Sequence, residues 1–142
     1  MRWERTAGTT AAASPEQAWD VLLDGRRWSS WNPGVEWIVV EGPLVSGSVL
    51  TMKPNGGPQT AFRIESVVPN RLLALVLTIG PVADLRLRWE LAAVDVGTTI
   101  AQTIAISGPL AGVLLRRTAQ RIAGGMAANL ERLAARASAG RG

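Results

Sequence analysis

Between residues 84 and 107 the chain alternates almost strictly, with Leu85, Leu87, Trp89 and Leu91 interleaved with Arg86, Arg88 and Glu90. Ile100, Gln102, Ile104 and Ile106 repeat the pattern one segment later. A period of two sends successive side chains to opposite faces of a strand, so each segment has an apolar face and a wet one. Further period-two or apolar segments fall at 35–41, 48–53, 60–68 and 72–78, and residues 2–12 alternate loosely. Seven strands are predicted. Gly42-Pro43, Asn55-Gly56-Gly57-Pro58, Pro69-Asn70, Gly80-Pro81 and Asp95-Val96-Gly97 separate the last six. Such short connections leave no room for crossover helices, and the predicted sheet is an antiparallel meander.

Two stretches break this period. Ser14-Pro15-Glu16-Gln17 has the form of a capping box, with Pro at the first helical position and an acid at the positive end of the helix dipole. Ala18, Trp19, Leu22 and Leu23 then share one helical face, and Gly25 stops the helix. Residues 26–31 predict a second short helix that ends before Pro33. From Pro109 to Ser138 the pattern is helical again: Leu115, Ala119, Ile122, Met126, Leu130, Leu133 and Ala137 form one stripe, with Arg117, Arg121 and Arg132 opposite. Gly124-Gly125 interrupts that helix and reads either as a bend or as a site of close approach by backbone or ligand. Residues 139–142 are expected to be a frayed tail.

At 142 residues and 47% hydrophobic, the whole chain (1–142) fits one domain with its own core. The absence of Cys and His removes the usual zinc ligands, thiol nucleophiles and the side chain best suited to proton transfer near neutrality. No metal and no cofactor are expected. Tyr is also absent, leaving acid-base chemistry to Asp, Glu, Lys53 or a bound water. The net charge of +4 and pI near 11.2 come from scattered arginines with no reading motif, and nucleic-acid binding is not expected. The N-terminus lacks the apolar core of a signal peptide, and the longest apolar stretch, residues 72–83, is too short to span a bilayer. A cytoplasmic protein without integral membrane association is therefore expected.

Strand parity assigns an interior. Phe62 and Ile64 oppose Arg63 and Glu65; Leu87 and Trp89 oppose Arg86, Arg88 and Glu90; Gln102 and Ile104 share a face with the neighbouring isoleucines. The charges read as a solvated ladder. Gln102 is the exception on the apolar side, and its amide needs a partner from backbone, water, a neighbour or a ligand. Ile122 and Met126 look inward from the final helix, Met126 either as a deformable ligand contact or as a gap filler. Trp19, Trp28 and Trp31 read as packing anchors. Trp37 joins the interior if Val35, Trp37 and Val39 face it, although Ile38 and Val40 make the other face apolar too. The candidate ligand-binding residues are thus Trp37, Phe62, Ile64, Leu87, Trp89, Gln102, Ile104, Ile122 and Met126, with no catalytic residue assigned. Counting outward from Gly97, Trp89 and Gln102 are offset by about three positions.

The order β-α-α-β6-α, Ser14-Pro15-Glu16-Gln17-Ala18-Trp19, Trp28-x-x-Trp31-Asn32-Pro33, Gly97-Thr98 and Gly108-Pro109-Leu110 resemble the START-like or SRPBCC superfamily, which includes Bet v 1-type and bacterial polyketide cyclase/dehydrase-like proteins. The resemblance runs from Arg2 to about Ala137. It implies an α+β helix-grip fold: a curved seven-stranded antiparallel sheet wrapped around a long C-terminal helix, two short helices after strand 1, and a deep apolar cavity. It also implies binding or carrying of a small hydrophobic ligand such as a lipid, polyketide or aromatic compound. Two other functions stay open: a metal-free cyclase or dehydratase using Gln102 with a water or a carboxylate, Asp84 being the nearest acid, and a protein-interaction module.

Overall fold

The expected capping box forms in the computed structural model, which describes residues 2–139. Ser14 Oγ accepts the Gln17 N–H at 3.1 Å and Gln17 Oε1 accepts the Ser14 N–H at 2.9 Å, satisfying two amides that a helix start leaves orphaned. Helix α1 (Pro15–Leu23) follows, burying Ala18, Trp19 and Leu22. A 3-10 segment, Gly25–Ser30, takes the place of the second helix expected at 26–31. Gly25 is required there, because a Cβ would lie 2.0 Å from the carbonyl oxygen of Ile38.

The strands are β1 (Arg2–Ala11), β2 (Val35–Glu41), β3 (Val49–Pro54), β4 (Thr60–Val68), β5 (Leu72–Ile79), β6 (Ala83–Val94) and β7 (Gly97–Ser107). They form one sheet in the order β1-β7-β6-β5-β4-β3-β2, with every pair antiparallel. The meander is as expected, and β1 closes onto β7 at its end. Gly97 sits at φ +144°, and a side chain there would meet the Ala11 carbonyl at 1.9 Å. Its lack of a Cβ lets β1 approach the β6–β7 hairpin this closely.

The final helical pattern divides into α2 (Ala111–Leu114) and α3 (Arg116–Ala139). The break falls at Leu115, whose φ of −121° lies outside the helical range, while the Leu115 side chain stays buried. Helix α3 runs unbroken through Gly124-Gly125. Among the described residues nothing outside the local helix backbone lies within 4 Å of a Cβ at Gly124, and only the Asn129 amide nitrogen lies near that of Gly125, at 3.6 Å. Ala139 ends α3, and the remainder of the expected tail, 140–142, lies outside the described residues.

Helix α3 lies over β1 and β7. Thr9 donates to Glu131 and the Ala12 N–H donates to Ser138 Oγ at 3.0 Å, which ties the C-terminal half of the helix to β1 and the residue after it. The 3-10 segment covers β2, and Arg132 Nε donates to the Trp31 carbonyl at 3.1 Å, joining α3 to that cover. Residues from the sheet and all the helical segments merge into one apolar cluster.

Candidate functional site

The register of the sheet assembles the interior in rows. One runs Val67, Leu73, Trp89, Gln102, Ala7; the next Ile64, Leu75, Leu87, Ile104, ending at the exposed Arg5 on the edge strand; a third Leu77, Leu85, Ile106, Trp3. Within the first row Trp89 and Gln102 are direct register partners. The loop between their strands has only two residues, so Val94 pairs with Gly97 and the count runs evenly back to 89 and 102. The three-position offset expected from the sequence is corrected by this register.

Three indoles meet over these rows. The Trp28 and Trp31 ring centroids are 4.7 Å apart, and Trp28 meets Trp89 edge-on at 5.6 Å. Such tilted and edge-to-face pairs place the positive edge of one ring against the negative face of another. The anchors on the 3-10 segment and the wall residue on β6 are therefore a single aromatic cluster, occupying space between the sheet and the helical cover. Met126 is buried in the same core, and Ile122 packs against it half-buried.

Polar groups within this interior are few and neutral. Trp28 Nε1 donates to the Leu22 carbonyl at 2.7 Å, and Thr98 Oγ1 donates to the Ala13 carbonyl at 2.7 Å. Trp31 Nε1 and Trp89 Nε1 are buried without a partner among the described residues. Gln102 is 4% exposed, and its side-chain amide makes no hydrogen bond among the described residues. Only Thr98 and Gln102 are buried among the described polar residues, so the interior offers uncharged donors and one amide acceptor but no acid or base. This set can hold a carbonyl or hydroxyl oxygen by hydrogen bonds. It cannot by itself donate or remove a proton at neutral pH.

Seven of the nine residues expected at the site, Phe62, Ile64, Leu87, Trp89, Gln102, Ile104 and Met126, are buried, the sheet members all on its inner face, and Ile122 lies half-buried at its margin. Trp37 is not with them. A register shift between Val35 and Trp37 puts both Val35 and Ile38 inward, leaving Trp37 beside Lys53 and Val39 beside Thr51 on the outer face. The bulge settles the parity of β2, which two apolar faces leave open in the sequence. Asp84 also lies away from Gln102: it is half-buried opposite Ser107 and pairs with Arg86 at 3.4 Å. Arg86 further pairs with Glu65 at 3.2 Å and Arg88 with Glu90 at 2.8 Å, forming outer-face ion pairs. A groove of about 530 Å³ crosses this outer face beside Arg71, Arg88, Glu90 and Thr99. It is open to solvent, and its lining mixes Arg71, Arg88 and Glu90 with Val68, Leu72 and Leu91, unlike the aromatic interior.

The part of the site that alternation does not reveal is Trp31. Its indole N–H is as isolated as that of Trp89, yet it sits on a short helical turn whose sequence says only that Trp28 and Trp31 share a side.

Residues 2–138 match the model of a family described as "Polyketide cyclase / dehydrase and lipid transport". A search of curated proteins returns no match. Among solved structures, the Zhui aromatase/cyclase from a Streptomyces species is similar at 17% identity, covering 96% of this chain and 94% of that one, with a TM-score of 0.68. Ara h 8.0201 is similar at 12% identity over 98% and 99% of the two chains, with a TM-score of 0.68. The di-domain aromatase/cyclase StfQ of the steffimycin biosynthetic pathway is similar at 14% identity over 99% of this chain and 52% of that one, with a TM-score of 0.72. At these identities the structural likeness establishes the fold.

Proposed function

The chain belongs to the polyketide cyclase/dehydrase and lipid transport family, and on that premise we propose that it binds and carries a small, mainly apolar molecule between the inner face of the sheet and α3. The observation that carries this reading is a pair of buried donors without a partner among the described residues, Trp31 Nε1 and Trp89 Nε1, with the buried residue Gln102 directly opposite Trp89, all among aliphatic and aromatic walls. A buried donor left without a partner costs about 1–3 kcal/mol. A ligand oxygen placed among these groups recovers part of that cost, while the ligand's apolar body replaces contacts along Ile64, Leu87 and Ile104. The ligand class is therefore an apolar molecule with at least one carbonyl or hydroxyl oxygen, as in a lipid, a polyketide or a substituted aromatic.

Carriage is favoured over cyclisation or dehydration because those reactions need a proton donor or base. The buried polar residues described here are neutral, and Asp84 is held by Arg86 on the other side of the sheet. Since Trp28, Trp31 and Trp89 occupy the interior, ligand uptake is coupled to a rearrangement of indoles. Tryptophan emission is thus the direct readout. Titration with an apolar aromatic probe bearing a ketone is expected to give a saturable, stoichiometric change. A change that is absent, or that rises linearly without saturation, overturns the reading.

A further inference from the structure

The end of the fold where α2 meets the β5–β6 hairpin exposes apolar side chains that the core does not use. Val113 is 84% exposed, Leu114 46%, Leu110 44% and Ile79 37%. They form one structural unit: the Leu110 N–H donates to the Val82 carbonyl at 2.9 Å, bracing α2 against the hairpin that starts at Ile79. Pro81 and Pro109 are exposed on the same two turns. Ala111 and Leu115, by contrast, point into the core, so α2 is anchored by one side and presents the other outward.

Charge next to this tip has one sign. Arg116, Arg117 and Arg121 follow on the first turns of α3, all exposed and none with an ion-pair partner among the described residues. No Asp or Glu occurs anywhere between Asp95 and Glu131. On the hairpin side the acid at hand is Asp84, already paired with Arg86.

An exposed apolar cluster bordered by unpaired arginines is suited to the boundary between lipid headgroups and acyl chains. The aliphatic side chains enter the apolar layer while the guanidinium groups meet phosphates. A second copy of the chain fits less well, because apposing two such tips brings two sets of arginines together with no carboxylate between them. We propose that α2 and the β5–β6 turn form a docking surface for an anionic phospholipid bilayer. This surface stands apart from the unpartnered indoles and Gln102, and the proposal does not depend on what the interior binds.

The test is co-sedimentation of the full chain with vesicles of phosphatidylcholine alone and of phosphatidylcholine mixed with phosphatidylglycerol. Binding is expected only with the anionic vesicles, and it weakens as salt is raised. Replacing Arg116 and Arg117 by Gln lowers the partition coefficient about fivefold for each arginine lost, as a surface cation of this kind predicts. The pair Val113→Gln and Leu114→Gln lowers it about tenfold or more, in line with loss of two inserted aliphatic side chains. Val113 is nearly free of contacts, so Val113→Gln alone serves as a variant whose fold is kept, with its thermal transition as control. Three results overturn the proposal: wild-type protein that stays in the supernatant with anionic vesicles, variants that sediment as well as wild type, and a concentration-dependent dimer in vesicle-free buffer that the Val113 and Leu114 substitutions abolish.

Discussion

Trp89 and Gln102 stand directly opposite one another on the inner face of the β6–β7 ladder, both buried, and the Trp89 indole N–H has no hydrogen-bond partner among the described residues. Directly opposed residues of an antiparallel pair have Cβ atoms only about 4.5–5.5 Å apart. One ligand oxygen can therefore lie within reach of both.

Gln102→Leu tests whether that amide is structural. Because the side chain holds no other residue in place, its replacement by a similar apolar volume is expected to leave stability within about 1 kcal/mol of wild type or to raise it. Ligand preference shifts toward molecules without a carbonyl. Urea denaturation checks the first point and competition between paired ketone and hydrocarbon probes the second. A large loss of stability would show that Gln102 has an essential partner within the protein.

Trp89→Phe keeps an aromatic ring at the centre of the cluster but removes the indole N–H and some volume. A destabilisation of about 1–3 kcal/mol is expected from the smaller ring and the weakened edge contact with Trp28. Most of the emission change on probe binding should disappear with it. Full retention of that signal would place the probe elsewhere.

The inner and outer faces were legible wherever alternation was clean, as in Leu85 to Leu91 and Ile100 to Ile106. A charged side chain costs far more to bury than a leucine, so the parity of such strands has one solution. Trp37 escaped this logic. Both faces of β2 are apolar, and the bulge that settles its parity arises from pairing with β3, which no local pattern encodes. The contact of Trp28 and Trp31 with Trp89 was likewise out of reach, because it depends on how the 3-10 segment closes over the sheet. Seven strands and a final helical stripe could be read from periodicity, but the break at Leu115 could not, since Leu115 keeps its place in the apolar stripe while its backbone leaves the helix.

Removing residues from Ala123 onward takes away Met126, Leu130 and Leu133, all buried. Each contributes about 1.5–3 kcal/mol against a typical total stability of about 5–15 kcal/mol. Loss of the cooperative thermal transition is expected. A truncated chain that still melts sharply near the original midpoint would mean that α3 is not part of the essential core.

Gly25→Ala should be among the most damaging single changes, because the added methyl would sit 2.0 Å from the Ile38 carbonyl oxygen and push the 3-10 segment off β2. The expected cost is about 2–4 kcal/mol, larger than an ordinary surface glycine substitution. A melting temperature unchanged from wild type would contradict the close packing of that segment against the sheet.

The most direct test of a hydrophobic carrier is native mass spectrometry of freshly purified protein, before and after incubation with apolar aromatic and acyl compounds that carry a carbonyl. The expected result is a one-to-one adduct, present on purification or formed on incubation, whose occupancy falls in Trp89→Phe and whose preference for carbonyl compounds falls in Gln102→Leu. Bare protein throughout, or adducts equally abundant in wild type and both variants, would contradict it.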